Sequence, residues 1–104
     1  MSYTKDGIMA QIWVAFGQGT GAIRVSQEAA WKLHELYYDA ITTTAINSWG
    51  TEGTQVLERI RAIGRLAALQ AIEAADPAVT ASQVETSAYL VEQKSDTALC
   101  PPRS

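Results

Sequence analysis

The sequence predicts an all-α protein, a small helical bundle of three main helices plus an N-terminal helix. A chain of 104 residues has room for one core. Hydrophobic residues make up 47% of it and charged residues 18%, so apolar side chains are available to fill that core. Apolar side chains also recur at helical spacing along three segments. We expect one domain over residues 1–92 and a flexible C-terminal tail over residues 93–104.

The segment 8–25 fits two structures. Its apolar side chains up to Phe16 share one helical face, and Gly17 is placed to end that helix. The apolar runs 12–16 and 22–25, joined by a glycine-rich stretch, also fit the strands of a β-hairpin. We favour the helix, and the hairpin gives the alternative, an α+β fold.

The first main helix is expected to run from Ser26 to about Trp49. Ser26 is a good N-cap, and Glu28 in the first turn suits the positive end of the helix dipole. Gly50 and Gly53 predict the turn that ends it, because two glycines so close together favour a turn.

The second main helix is expected to run from about Thr54 to Ala75, just before Asp76-Pro77. From Ala62 onward it is apolar almost all round, which indicates burial on more than one side. In so small a chain this indicates a central position in the bundle or a subunit interface, and we expect a homodimer. The side chains expected at the interface are Leu66, Leu69 and Ile72.

The third main helix has the clearest start. Thr80 and Gln83 fit a capping box. Val79 and Val84 have the spacing of a hydrophobic staple, which packs the residue before the N-cap against the first turn of the helix. The chain after Gln93 is polar and contains two prolines, which is typical of a frayed tail.

A second stripe of large aromatic side chains lies on the first main helix, outside its main apolar face. Such a stripe requires another helix of this chain, a second subunit or a ligand to cover it. We expect the binding surface to comprise Trp31, His34, Tyr38 and Trp49.

The side chains with catalytic or metal-binding chemistry do not converge. His34 is the only histidine, and on a helix Glu35 and Asp39 point to the opposite side from it. One histidine and the distant Cys100 cannot form a usual zinc shell. We therefore predict neither an enzyme nor a bound metal or cofactor.

The net charge of −3 opposes non-specific binding to nucleic acid. Arg59, Arg61 and Arg65 concentrate positive charge on the second main helix, but neighbouring glutamates dilute it. A lone cysteine and the lack of a long apolar run favour a cytoplasmic protein with no membrane segment.

Two short segments resemble the loops of archaeal-type histone folds, namely Arg24-Val25-Ser26 and Val79-Thr80-Ala81. The resemblance implies a helical protein associated with DNA. The chain departs from it in its acidic balance and in the glycines at 50 and 53. No residue role is carried over from the resemblance.

The function that fits these features best is that of a non-enzymatic interaction protein acting as a homo-oligomer. The alternative is a bundle that binds a small apolar ligand, and such a protein should enclose a cavity of a few hundred Å³. A DNA-associated accessory factor ranks third, and it should present its arginines on a face free of carboxylates.

Overall fold

The computed structural model describes residues 3–93 and Leu99, and the elements in this part of the chain are mostly helical, as predicted. None of these helices is both long and apolar enough to cross a membrane. The elements, in chain order, are α1 (Lys5–Thr20), β1 (Arg24–Val25), α2 (Gln27–Tyr37), α3 (Thr43–Glu73), β2 (Ala78–Val79) and α4 (Ala81–Glu92).

The N-terminal segment is a helix rather than a hairpin. The Thr4 side chain caps α1 by accepting a hydrogen bond from the Gly7 N–H at 3.0 Å. The helix continues one turn past the predicted stop at Gly17 and ends at Gly21, whose φ of +66° suits a residue without Cβ. The favoured alternative is therefore confirmed, and the helix end was placed one turn too early.

The predicted single helix from Ser26 to Trp49 is wrong, because the chain breaks between α2 and α3. Thr42 starts α3, and its hydroxyl accepts a hydrogen bond from the Ala45 N–H at 3.1 Å. This cap lies in the middle of a segment whose apolar spacing is continuous, so periodicity alone does not reveal it.

The predicted turn at Gly50 and Gly53 is also wrong, since both residues lie inside α3. Glycine inside a helix costs about 1 kcal/mol relative to alanine. At Gly53 close packing explains the residue, because a Cβ there would lie 2.9 Å from Cε2 of the Trp49 indole. Space for a buried tryptophan outweighs the local preference for a turn.

Each half of the fold contains a helix, a two-residue strand and a second helix. The two strands pair in parallel, with Val25 opposite Val79. Each strand leads directly into an N-cap, Ser26 before α2 and Thr80 before α4. The segments that resemble histone loops therefore meet within one chain.

Two of the three predicted starts of main helices are confirmed, at Ser26 and Thr80. The predicted start near Thr54 is wrong, because α3 begins at Thr43. The Ser26 hydroxyl accepts a hydrogen bond from the Ala29 N–H at 3.1 Å. At α4 the capping box is complete, because Thr80 Oγ1 accepts from the Gln83 N–H and Gln83 Oε1 accepts from the Thr80 N–H. Gln83 also donates to Asp76 Oδ2 at 2.7 Å, which ties the helix start to the preceding turn.

The most extensive helix contact joins α1 to α3. Two glycines allow the backbones to approach closely at this crossing. A Cβ on Gly64 would lie 2.4 Å from the carbonyl oxygen of Phe16, and a Cβ on Gly19 would clash with the Arg61 carbonyl. Around the crossing, buried apolar side chains from both helices form the core, including Ile8, Ile12, Phe16, Val56, Ile60 and Ile63.

Of the predicted tail, the structure describes Gln93 and Leu99, and the remaining residues, including Cys100, lie outside the described part. Leu99 is only 1% exposed and belongs to the core. Its carbonyl accepts a hydrogen bond from the Arg59 guanidinium, which also donates to Glu92 Oε1 at 2.7 Å. At Leu99 the predicted flexible tail thus contributes a side chain to the core.

We predict that Gly64→Ala lowers the free energy of unfolding by about 1–3 kcal/mol, because the new methyl group forces α1 away from α3. Gly17→Ala is the matched control in α1, where an added Cβ meets nothing within 4 Å. That control should raise stability by up to about 1 kcal/mol. Urea denaturation of both variants measures the difference, and equal effects would contradict the close crossing.

We also predict that Leu99→Ala costs about 2–4 kcal/mol of unfolding free energy, since it leaves a cavity in the core. Leu90→Ala provides the control, because Leu90 is an exposed leucine on α4. Thermal and urea unfolding should separate the two variants clearly. Equal stability of Leu99→Ala and the unaltered chain would show that residue 99 does not pack on the domain in solution.

Candidate functional site

Three of the four predicted binding residues form a stack of rings along α2 and its C-cap residue, Tyr38. Their spacings of three and four residues place Trp31, His34 and Tyr38 on one side of the helix. The His34 ring lies between the other two, with centroids 5.5 Å from Trp31 and 4.6 Å from Tyr38, nearly parallel to both. Trp13 of α1 joins them, 5.9 Å from His34. These four residues are called the aromatic surface below.

Trp49, the fourth predicted residue, does not belong to this surface. It is 4% exposed within α3, and its indole N–H donates to Gln11 Oε1 at 3.1 Å. The break between α2 and α3 gives Trp49 a direction different from that of the stack. Trp13 was missed by sequence reasoning, although its position off the buried face of α1 was a usable signal.

Contacts between α1 and α2 hold the far end of the stack. The Tyr38 hydroxyl donates a hydrogen bond to Asp6 Oδ1 at 2.9 Å, and the Lys5 ammonium lies 4.4 Å from the centre of the Tyr38 ring. The hydrogen bond to Asp6 favours the neutral phenol and thus raises the pKa of Tyr38. These contacts fix the position of α1 relative to the rings of α2.

The other end of the stack borders an open groove of about 460 Å³. The indoles of Trp31 and Trp13 line it and remain 68% and 48% exposed. Ala30 of α2 and Ala81 of α4 add further apolar lining. We call this the indole groove. Its remaining lining residues are Gln27, Glu28, Lys32 and Glu35.

Carboxylates outnumber ammonium groups at the rim of the indole groove. Lys32 Nζ lies 3.3 Å from Glu35 Oε1 and 3.4 Å from Glu85 Oε2, so two carboxylates share one cation. The hydrogen bond to Glu35, followed by the charges of both glutamates, raises the pKa of Lys32. Glu28 adds a third carboxylate, and it has no ion pair among the described residues. The side-chain charges at the rim therefore favour a cation over an anion.

The surroundings of His34 favour stacking over proton transfer. Its Nδ1 is shielded from solvent and has no hydrogen-bond partner within the described part of the chain. Glu35 pairs with Lys32 instead of orienting the imidazole. Residues 3–93 and Leu99 contain no cluster of three or more metal-ligating side chains. The chemistry this site offers is ring stacking, apolar contact and ion pairing.

The predicted interface residues form a second apolar area on the C-terminal half of α3. Leu69 is 51% exposed and Ile72 is 64% exposed, while Leu66 is partly buried. Tyr89 and Leu90 on α4 also remain exposed. The apolar character of this stretch of α3 therefore exceeds what its own subunit covers.

The three arginines of α3 do not form a free basic face. Arg59 is largely buried and pairs with Glu92, and Arg61 donates to Gln18 Oε1 at 2.8 Å. Arg65 remains exposed. A DNA-contacting protein was expected to present these side chains together and clear of carboxylates, and they are arranged differently here.

No protein-family model, curated protein or solved structure matches the chain. The likeness to histone loops therefore remains limited to the two short segments around the strands. Function has to be inferred from the side chains and their geometry.

Proposed function

We propose that this protein is a non-enzymatic binding protein that captures a segment of another protein in the indole groove. The observation that carries the proposal is the exposure of Trp13 and Trp31, which both line that groove. Tyr37, Trp49 and Phe16 are buried in the core, so the chain has apolar positions for large rings. Exposed, clustered tryptophans are typical of interaction hot spots.

The stacked rings support binding for a further reason. Stacking on His34 restricts the rotation of the Trp31 ring before any partner arrives. A side chain that is already ordered loses little conformational entropy on binding, and more of its contact energy appears as affinity. The aromatic surface is thus suited to act as a pre-organised platform.

The open shape of the groove favours a partner segment over a small apolar ligand, which remains the alternative. Small-molecule sites usually bury most of the ligand surface. A ligand between Trp13 and Trp31 would leave one side in water, whereas a peptide segment can cover the groove along its length. The acidic rim disfavours a DNA-associated role, since carboxylates repel phosphates. A cytoplasmic location belongs to the same proposal.

A homodimer formed through Leu66, Leu69 and Ile72 is also part of the proposal. Its support is the exposure of Leu69 and Ile72 on α3, with Tyr89 and Leu90 also exposed on α4. Small domains bury a limited fraction of their apolar surface, and pairing two such areas removes more of it from water. This area lies on α3, and the residues lining the indole groove lie on α1, α2 and α4.

We predict that Trp31→Ala weakens binding but spares the fold. Peptides that bind the unaltered chain can be selected from a random displayed library. Their binding free energy for Trp31→Ala, measured by fluorescence anisotropy, should be weaker by about 2 kcal/mol or more. Unfolding free energy should change by less than about 1 kcal/mol, because the ring is mostly exposed.

Trp49→Ala is the control for that comparison, and it should cost about 3–5 kcal/mol of stability, as for other buried tryptophans. Two results would contradict the binding role of the groove. The first is that Trp31→Ala lowers the unfolding free energy as much as Trp49→Ala does. The second is that the selected peptides bind Trp31→Ala as tightly as they bind the unaltered chain.

For the dimer, we predict that light scattering at micromolar concentration gives twice the subunit mass for the unaltered chain. The Leu69→Glu variant should give the subunit mass. A glutamate at that position places an unpaired charge in the interface. Val14→Glu, at an exposed apolar position on α1, should leave the mass of the dimer unchanged. If the unaltered chain gives the subunit mass at all micromolar concentrations, the proposed dimer is wrong.

A further inference from the structure

The Trp31 indole stands between two carboxylates on the same face of α2. Glu28 precedes it by three residues and Glu35 follows it by four, and side chains at these spacings are neighbours on a helix surface. All three residues line the indole groove. A ligand group resting on the indole is therefore within reach of negative charge from both ends.

Only one face of the Trp31 ring is used within the protein. That face stacks on His34 at an interplanar angle of 12°. The 68% exposure of the residue leaves the other face to solvent. The face of an indole is the negative side of its quadrupole, and it attracts ammonium and guanidinium groups that lie within about 6 Å.

The cation already present in the groove does not neutralise this site. Lys32 is shared between Glu35 and Glu85, and these contacts hold it at the rim, in ion-pair range of both carboxylates. Of the charged side chains that line the groove, Glu28 and Glu35 are acidic and Lys32 is basic, and Glu85 pairs with Lys32 from outside the lining. The side-chain charge beside the Trp31 indole is therefore negative.

We infer that the captured segment belongs to another protein and presents an arginine or lysine side chain, flanked by apolar residues, to the Trp31 indole between Glu28 and Glu35. The inference rests on the proposed binding function and specifies the chemistry of the partner. The cation stacks on the free face of Trp31, while its apolar neighbours contact Trp13 and the alanines of the groove. Charge complementarity favours a segment with an arginine or lysine over a segment that carries a phosphate group.

A pair of synthetic peptides tests the inference: acetyl-Leu-Arg-Leu-amide and the same peptide with citrulline in place of arginine. Citrulline keeps the shape of the side chain and removes its charge. In two-dimensional NMR spectra, the arginine peptide should shift the indole N–H signals of Trp31 and Trp13 saturably and leave that of the buried Trp49 in place. The citrulline peptide should bind about fivefold more weakly.

Salt and matched variants isolate the charge contribution. Raising ionic strength from about 0.05 M to 0.5 M should weaken binding of the arginine peptide and leave that of the citrulline peptide nearly unchanged. Glu28→Gln and Glu35→Gln should each reduce affinity for the arginine peptide alone. Glu58→Gln, an exposed carboxylate on α3, serves as the control and should leave both affinities as they are.

Several outcomes would overturn the inference, and they are distinguishable from failure of the proposed function. The inferred cation is wrong if the two peptides bind with equal affinity. It is also wrong if the arginine peptide causes no saturable shift of the Trp31 signal. If library peptides still depend on Trp31 in that case, the binding function stands without it. If no library peptide depends on Trp31 for binding, both the inferred cation and the proposed binding function are wrong. Dissociation of a dimer by the arginine peptide would assign the groove to a second copy of this chain.

Discussion

The close crossing of α1 on α3 is the contact on which the rest of the structure depends. Glycines at 19 and 64 let the two backbones meet without intervening side chains, and the core closes around this point. Because one face of α1 is committed to α3, Trp13 is left on the side that faces α2. The position of one wall of the indole groove thus follows from a backbone contact in the core.

The parallel strand pair and the two capped helix starts fix the other parts of the groove. Pairing of β1 with β2 brings the beginnings of α2 and α4 together, so that Ala81, the first residue of α4, lines the groove beside Ala30. The ion pair between Lys32 and Glu85 connects the same two helices farther along. Three helices therefore meet at the groove, and each is anchored by a different type of interaction.

The arrangement separates the residues that close the core from those proposed to bind a partner. The residues that close the core are buried aliphatic and aromatic side chains together with glycines, whereas the aromatic surface rests on this core as a layer of stacked rings. If the indole groove binds a partner as proposed, substitutions at its rim can change the preferred partner without disturbing the crossing of α1 and α3.

The sequence by itself determined the features that depend on bonds within a few residues. The caps at Ser26 and Thr80 were predictable because each side chain bonds to the backbone three residues ahead. The grouping of Trp31, His34 and Tyr38 was predictable for the same reason, since helical spacing alone makes them neighbours.

Only the tertiary structure decided where long-range packing overrides those local preferences. Gly53 signals a turn by itself, yet it lies within α3 because the buried Trp49 ring occupies the space that a side chain would need. Trp13 reaches the aromatic surface, and Leu99 reaches the core, through contacts with residues distant in sequence. Such contacts depend on how whole helices cross, and helical periodicity within one segment carries no information about that crossing.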